Sequence, residues 1–201
     1  MKHQPIIIFM PIGIAVNIIG LVINTELNLP LFLDSIGTML AAATMGPWAG
    51  ALIGFLSNLI VGLFKTPINI PFGIVNAIIG IVVGYLSRKR GFEDLVTPLL
   101  ASLILAVICP VIAAPIAVYL FGGVTGGNID TFYAVLLESG YKIFSSAFLV
   151  RIPANLADKL ISAYLVMAVI RLLPQDWKGI ACSHSRADKR DKHHDNEVTD
   201  K

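Results

Sequence analysis

Charged residues mark out long apolar stretches along this chain. Between Asp34 and Lys65 lie thirty consecutive uncharged residues, SIGTMLAAATMGPWAGALIGFLSNLIVGLF, with a Gly46-Pro47-Trp48 corner near the middle. A helix does not run smoothly through such a corner, so the run predicts two membrane-crossing helices joined by a tight turn. Residues 66–87 and 95–129 are also free of charge, and each is long enough for a span of about 20 residues. The N-terminus places Met-Lys-His-Gln before an apolar stretch at 5–23. That looks like a signal sequence, but no A-x-A cleavage site follows and further spans do, so it reads as an uncleaved first helix.

The pattern predicts helices at about 5–24, 31–45, 47–64, 70–88, 95–121 and 153–173. Pro30, Pro47 and Pro71 fall at or near predicted helix starts, where a missing N–H does no harm. Pro110 and Pro115 fall inside the fifth helix and should kink it. Residues 130–150, DTFYAVLLESGYKIFSSAFLV, could span by length, but Glu138, Gly140 and Lys142 sit near the middle, and ionised groups facing lipid are costly. The basic loop Arg88, Lys89 and Arg90, together with Lys178, Arg186, Lys189, Arg190 and Lys192 after the last helix, should both be cytoplasmic. Six spans satisfy that parity and seven do not. The fold expected is therefore an all-α integral membrane protein with six transmembrane helices and an additional amphipathic or re-entrant segment at 130–150, on the outer side. Both termini are then cytoplasmic, and Trp48 and Trp177 lie at the cytoplasmic interface.

Composition supports a bilayer protein: 56% of residues are hydrophobic, 14% are charged and the mean hydropathy is +0.78. Residues 1–174 read as one membrane-embedded domain. Residues 175–201 carry six basic and six acidic residues and little apolar surface, the composition of a solvated, disordered cytoplasmic tail. Its balanced charge argues against a nucleic-acid arm. Cys109 and Cys182 are too few and too differently placed for a disulfide framework.

Small residues recur four apart at Gly50/Gly54, Gly73/Ala77, Gly80/Gly84 and Ala113/Ala117. In lipid such faces let helix backbones approach closely. Most should pack within the chain; Gly13, Ala15, Asn17 and Gly20 on the first helix are the candidates for docking a separate membrane partner. Polar residues inside the spans point to a pocket. Asp34 falls about 5 Å into the predicted second helix and Asn58 about 9 Å before the end of the third, at about 1.5 Å per residue. Asn69 and Asn76 share a helical face, and Asn155 and Asp158 begin the last helix at a similar level. Convergence of polar groups at one depth is what a binding cavity needs. The plainer alternative is interhelical bonding by the amides and capping by Asp158. Buried Asp34 needs a cation, and Lys142, Arg151 and Lys159 could reach it, with Lys159 preferred. A neutral or weakly basic ligand would suit Asp34 and the amides, whereas Lys142 and Lys159 could receive an anion.

No phosphate-cradling loop, zinc-protease helix, paired-cysteine metal site or nucleophile elbow is present in the sequence. His184, His193 and His194 lie in the tail and read as solvated. The chain is thus expected to be neither an enzyme nor a holder of cofactor or metal.

The stretches LPLFLDSIGTMLAAATMGPWAGALIGFLSNLIVGL, FGGVTGGNIDTFYAVLL and NLADKLISAYLVMAVIRLLP resemble the substrate-binding S component of energy-coupling factor (ECF) transporters. The resemblance runs over most of 5–174, with D-S-I-G-T, G-P-W-x-G and D-K-L-I-S its most specific parts. It implies a six-helix subunit of the bacterial cytoplasmic (inner) membrane that captures a vitamin or other micronutrient on the outer side. Release inward would require a transmembrane coupling protein and two ABC ATPases. It also implies that loops at 24–30, 65–69 and 122–128 close the cavity, the last being glycine-rich and suited to a mobile gate. One departure concerns docking: where many members carry A-x-x-x-A on the first helix, Ala15 is followed by Ile19, and Gly13 with Asn17 is a loose substitute. A stand-alone carrier or channel, and a ligand-sensing membrane module, are the alternatives.

Overall fold

A computed structural model of the chain describes residues 4–173. Within them every regular element is an α-helix: α1 (Gln4–Glu26), α2 (Ile36–Met45), α3 (Pro47–Phe64), α4 (Asn69–Arg90), α5 (Val96–Phe121), α6 (Asp130–Glu138) and α7 (Ile143–Leu172). α1, α3, α4, α5 and α7 are long and apolar enough to cross a bilayer. Their outer surfaces are apolar as well, with Ile12, Ile19, Leu52, Phe55, Ile74, Leu103, Val107 and Leu165 all exposed. The expectations for 175–201, including Trp177, Cys182 and the tail histidines, lie outside the described residues.

Three expected elements differ in extent. The predicted helix at 31–45 begins only at Ile36, so α2 has 10 residues and is about 15 Å long, half a bilayer core of about 30 Å. Pro30 therefore starts no helix. Residues 31–35 are unwound instead, with Leu33 at φ 52°, a left-handed conformation that side-chain-bearing residues adopt only when their surroundings hold them there. The segment 130–150 is not one element: α6 takes its first half, a turn through Gly140 (φ 85°) follows, and the second half joins α7. The last helix thus starts at Ile143 rather than 153 and runs through Pro153. The proline removes one N–H and leaves the Leu149 carbonyl without its helical donor, but apolar packing on both sides keeps the helix continuous.

α2 is the hub of the bundle, touching α1, α3, α4 and α7. Its side chains are small, and Gly37, Thr38, Met39, Ala41, Ala42, Ala43 and Thr44 are all buried. Gly37 lies so close to α1 that an added Cβ would meet the Gly13 carbonyl oxygen at 2.0 Å. Similar contacts hold α3 to its neighbours: a Cβ at Gly50 would lie 2.5 Å from Ala42 Cβ, and one at Gly80 2.3 Å from the Gly50 backbone. The four-residue glycine spacing is used for packing within the chain, as lipid-embedded helices need. Larger side chains from α2, α4, α5 and α7, among them Met39, Ile79, Val83, Leu105 and Val166, fill the core between them.

The connections gather at two ends. At one, Arg88 reaches the Gly46 corner and Arg171 donates to the Glu93 carbonyl oxygen at 2.6 Å and 2.9 Å. At the other lie the 27–35, 65–68 and 122–129 connections, and the cavity described below opens among them.

The tightness of the α3–α4 contact predicts that Gly80→Ala lowers stability by about 1–3 kcal/mol through overpacking. Gly127→Ala, whose added Cβ finds ordinary spacing of 3.8 Å to its nearest neighbour, serves as the neutral control. Thermal unfolding of both variants in the same detergent measures the difference.

Candidate substrate cavity

A buried ion pair organises the site. Lys159 is 1% exposed and Asp158 0%, and the ammonium of Lys159 binds the Asp158 carboxylate. Lys159 Nζ also donates to Ser35 Oγ at 2.8 Å. The other oxygen of Asp158 accepts from the Leu33 amide at 2.7 Å and the Phe32 amide at 3.3 Å. α7 therefore holds the unwound 31–35 segment by its backbone, in the role that a further turn of helix would otherwise fill. From the other side Asn76 Nδ2 donates to the Asp34 carbonyl oxygen at 2.9 Å. Gly20 completes the seat, because any side chain there would meet the Leu33 carbonyl oxygen at 1.9 Å.

This corrects the expected pairing. Lys159 takes Asp158 and Ser35 as its direct partners, and Asp34, the partner predicted for it, acts on Lys159 electrostatically without forming an ion pair. The reason is the unwinding of 31–35, which turns Ser35 rather than Asp34 onto the ammonium. Asp158 is likewise a tether for a neighbouring segment and not a helix cap, since α7 begins fifteen residues before it.

The cavity itself has a volume of about 210 Å³. Five of the predicted binding residues line it, Asp34, Asn69, Asn76, Asn155 and Lys159, and two do not, Asn58 and Asp158. Asn58 is 3% exposed, with its Cβ on the α3 face that packs against Gly73 of α4. All three expected loops contribute walls: Asn24 and Thr25, then Lys65, Thr66, Ile68 and Asn69, then Thr125 to Asn128. Phe72, Val75, Ile79 and Ala113 supply an apolar floor.

Arg151 also lines the cavity, a place that its position before the expected helix start at 153 does not suggest. Because α7 begins at Ile143, Arg151 lies one helical turn from Asn155, whose Nδ2 donates to the Arg151 carbonyl oxygen at 2.8 Å. Lys142, the third cation considered, is exposed at the start of α7.

The cavity mouth is latched by side-chain amides. Asn128 Nδ2 donates to the carbonyl oxygens of Leu29 at 3.0 Å and Asn24 at 3.3 Å, joining the α5–α6 connection to the α1–α2 connection. Asp130 shapes the glycine-rich loop by accepting from the Thr125 and Gly126 amides at 2.9 Å and 2.7 Å. Gly123, at φ 97°, leaves room for Tyr133, whose hydroxyl donates to the Gly122 carbonyl oxygen at 3.1 Å.

The four residues proposed for partner docking do not share an outward face. Gly13, Asn17 and Gly20 point into the bundle, and of the four Ala15 alone is exposed. Asn17 is fully engaged: its Nδ2 donates to Thr38 Oγ1 at 2.8 Å and Ser57 Oγ at 2.9 Å, and its Oδ1 accepts from the Gly37 and Thr38 amides at 2.7 Å and 3.2 Å. A buried amide so satisfied binds α1 to α2 and α3.

A bundle of membrane-length helices with a small cavity at one end has the form of a helical membrane protein. The chain matches the ECF transporter, substrate-specific component family over residues 6–170, and it belongs to that family. Comparison with curated proteins and with solved structures returned no match.

Two outcomes follow from this geometry. Asp158→Asn or Lys159→Met alone should cost about 3 kcal/mol or more by stranding a buried charge, while the double variant should recover a large part of that loss; thermal unfolding of all three in detergent measures it. Asn128→Ala should raise hydrogen–deuterium exchange in 24–30 and 122–128 and leave the α3 and α4 amides unchanged.

Proposed function

We propose that this chain is the substrate-capturing subunit of an ECF-type importer, binding a vitamin-like or other micronutrient-like small molecule in the cavity among Asp34, Asn69, Asn76, Asn155 and Lys159. The observation that carries the reading is a cavity with an apolar floor and polar side chains from several helices, at one end of a bundle of membrane-length helices in a family of substrate-specific components. A volume of about 210 Å³ lies below the ~300 to 1,000 Å³ typical of drug-sized pockets, so the solute is compact. The cavity end faces outward in the bacterial cytoplasmic membrane, and the basic Arg88-Lys89-Arg90 end faces the cytoplasm with both termini. α2 and the unwound 31–35 segment together form the sixth crossing.

Energy comes from elsewhere: a transmembrane coupling protein and two ABC ATPases dock on the chain and drive release inward. The docking face on this reading is the exposed α1 stripe of Ile12, Ala15, Ile19, Val22 and Ile23.

Affinity purification of the tagged chain from its native membranes in mild detergent tests this. The expected result is co-purification of a coupling protein and two ATPases, with ATP-dependent solute uptake once the assembly is placed in liposomes. Uptake by the chain alone without ATP would replace the proposal with a stand-alone carrier; ligand binding with neither would replace it with a sensor. Ala15→Trp on the docking face should reduce ATPase recovery about tenfold without altering thermal stability.

A further inference from the structure

Taking the cavity as the substrate site, we infer that the substrate carries a carboxylate, seated on Arg151. Arg151 is 2% exposed and lines the cavity. No carboxylate lies within ion-pair distance of it among the described residues, where Lys159–Asp158 is the ion pair formed. Its one hydrogen bond there runs from Nη1 to the Ala147 carbonyl oxygen at 2.9 Å, which leaves most of the five guanidinium donors unassigned. Those donors are not sealed in the protein either. The fully enclosed polar atoms without a partner are on Asn24, Asn58, Asn76, Thr97, Ser146 and Ser162, and none is on Arg151. The unassigned N–H groups therefore open onto the cavity.

A buried cation without a counter-ion is costly. Asp130 and Tyr133 act on Arg151 electrostatically from beyond bonding range, and the Asp130 carboxylate is occupied by the Thr125 and Gly126 amides. Lys159, the other buried cation of the cavity, is already compensated by Asp158 and Ser35. No carboxylate is bonded to this guanidinium, and its planar fork matches a carboxylate through two parallel hydrogen bonds.

The test uses the full-length chain in detergent and a panel of compact aliphatic, aromatic and heteroaromatic monocarboxylates, each paired with its primary amide, with binding read by thermal shift and equilibrium dialysis. The expected result is at least one acid that binds about tenfold or more tighter than its amide. Arg151→Gln should abolish that ratio and Arg151→Lys should retain part of it. Amides that bind as tightly as their acids, or a panel in which no acid binds, would overturn the assignment. The wild-type acid-to-amide comparison stands without any variant, so misfolding of Arg151→Gln cannot mask the answer. Acid-selective binding without energised uptake would refute the importer reading and leave Arg151 as the anchor; energised uptake of an uncharged solute would do the reverse.

Discussion

Everything near the cavity depends on the Asp158–Lys159 pair. A chain that leaves one helix and starts the next at membrane depth exposes peptide groups that water would otherwise satisfy, and each unsatisfied group in that setting is expensive. Here the carboxylate of Asp158 takes the amides of Phe32 and Leu33, while the ammonium of Lys159 takes the Ser35 hydroxyl. The pair neutralises itself and still has capacity left for the segment it holds. Left-handed Leu33 and the close approach of Gly20 are consequences of that grip. A pair of adjacent, opposite charges on one helix is compact enough to do this without a second helix supplying the counter-ion.

Around that point the bundle is built by the close approach of small residues rather than by the burial of large ones. Lipid tails are as apolar as Leu, so helices gain little by hiding bulky side chains from them. Gly13 against Gly37, Gly50 against Ala42 and Gly80 against Gly50 bring backbones together, and the Asn17 amide adds four directional hydrogen bonds at the same junction. These contacts join α1 to α4 along their length, from the start of α2 at Gly37 to the Gly50–Gly80 approach. The mouth itself is held by a few side-chain hydrogen bonds from Asn128 and Asp130, a division between firm scaffold and weaker rim that suits capture and release.

The arrangement also separates recognition from energy. The family to which the chain belongs supplies substrate-specific components, and the cavity brings together a paired Lys159, an Arg151 with no ion pair, and an apolar floor of Phe72, Val75 and Ile79. Specific binding comes from a small number of polar groups that are left unpaired if the wrong molecule occupies the site.

The five membrane-length helices and most of their boundaries were legible in the sequence, because uncharged runs of that length have no soluble explanation, whereas the sixth expected span is the 10-residue α2; Gly46-Pro47 marks a corner in any context. The glycine spacing foretold close packing, and Asn69, Asn76 and Asn155 were recognisable as cavity residues because amides in apolar helices seek an interior. What tertiary structure alone decided was where local rules yield. Residues 31–35 have an acceptable helical pattern, yet unwind because Asp158, more than a hundred residues away, offers their amides a better partner. α7 runs through Pro153 because packing on both flanks outweighs one lost hydrogen bond. Asn17 turns inward, Asn58 packs toward α4, and Arg151 keeps its donors for the cavity. Each depends on which distant group arrives within bonding distance, a relation that one-dimensional spacing does not contain.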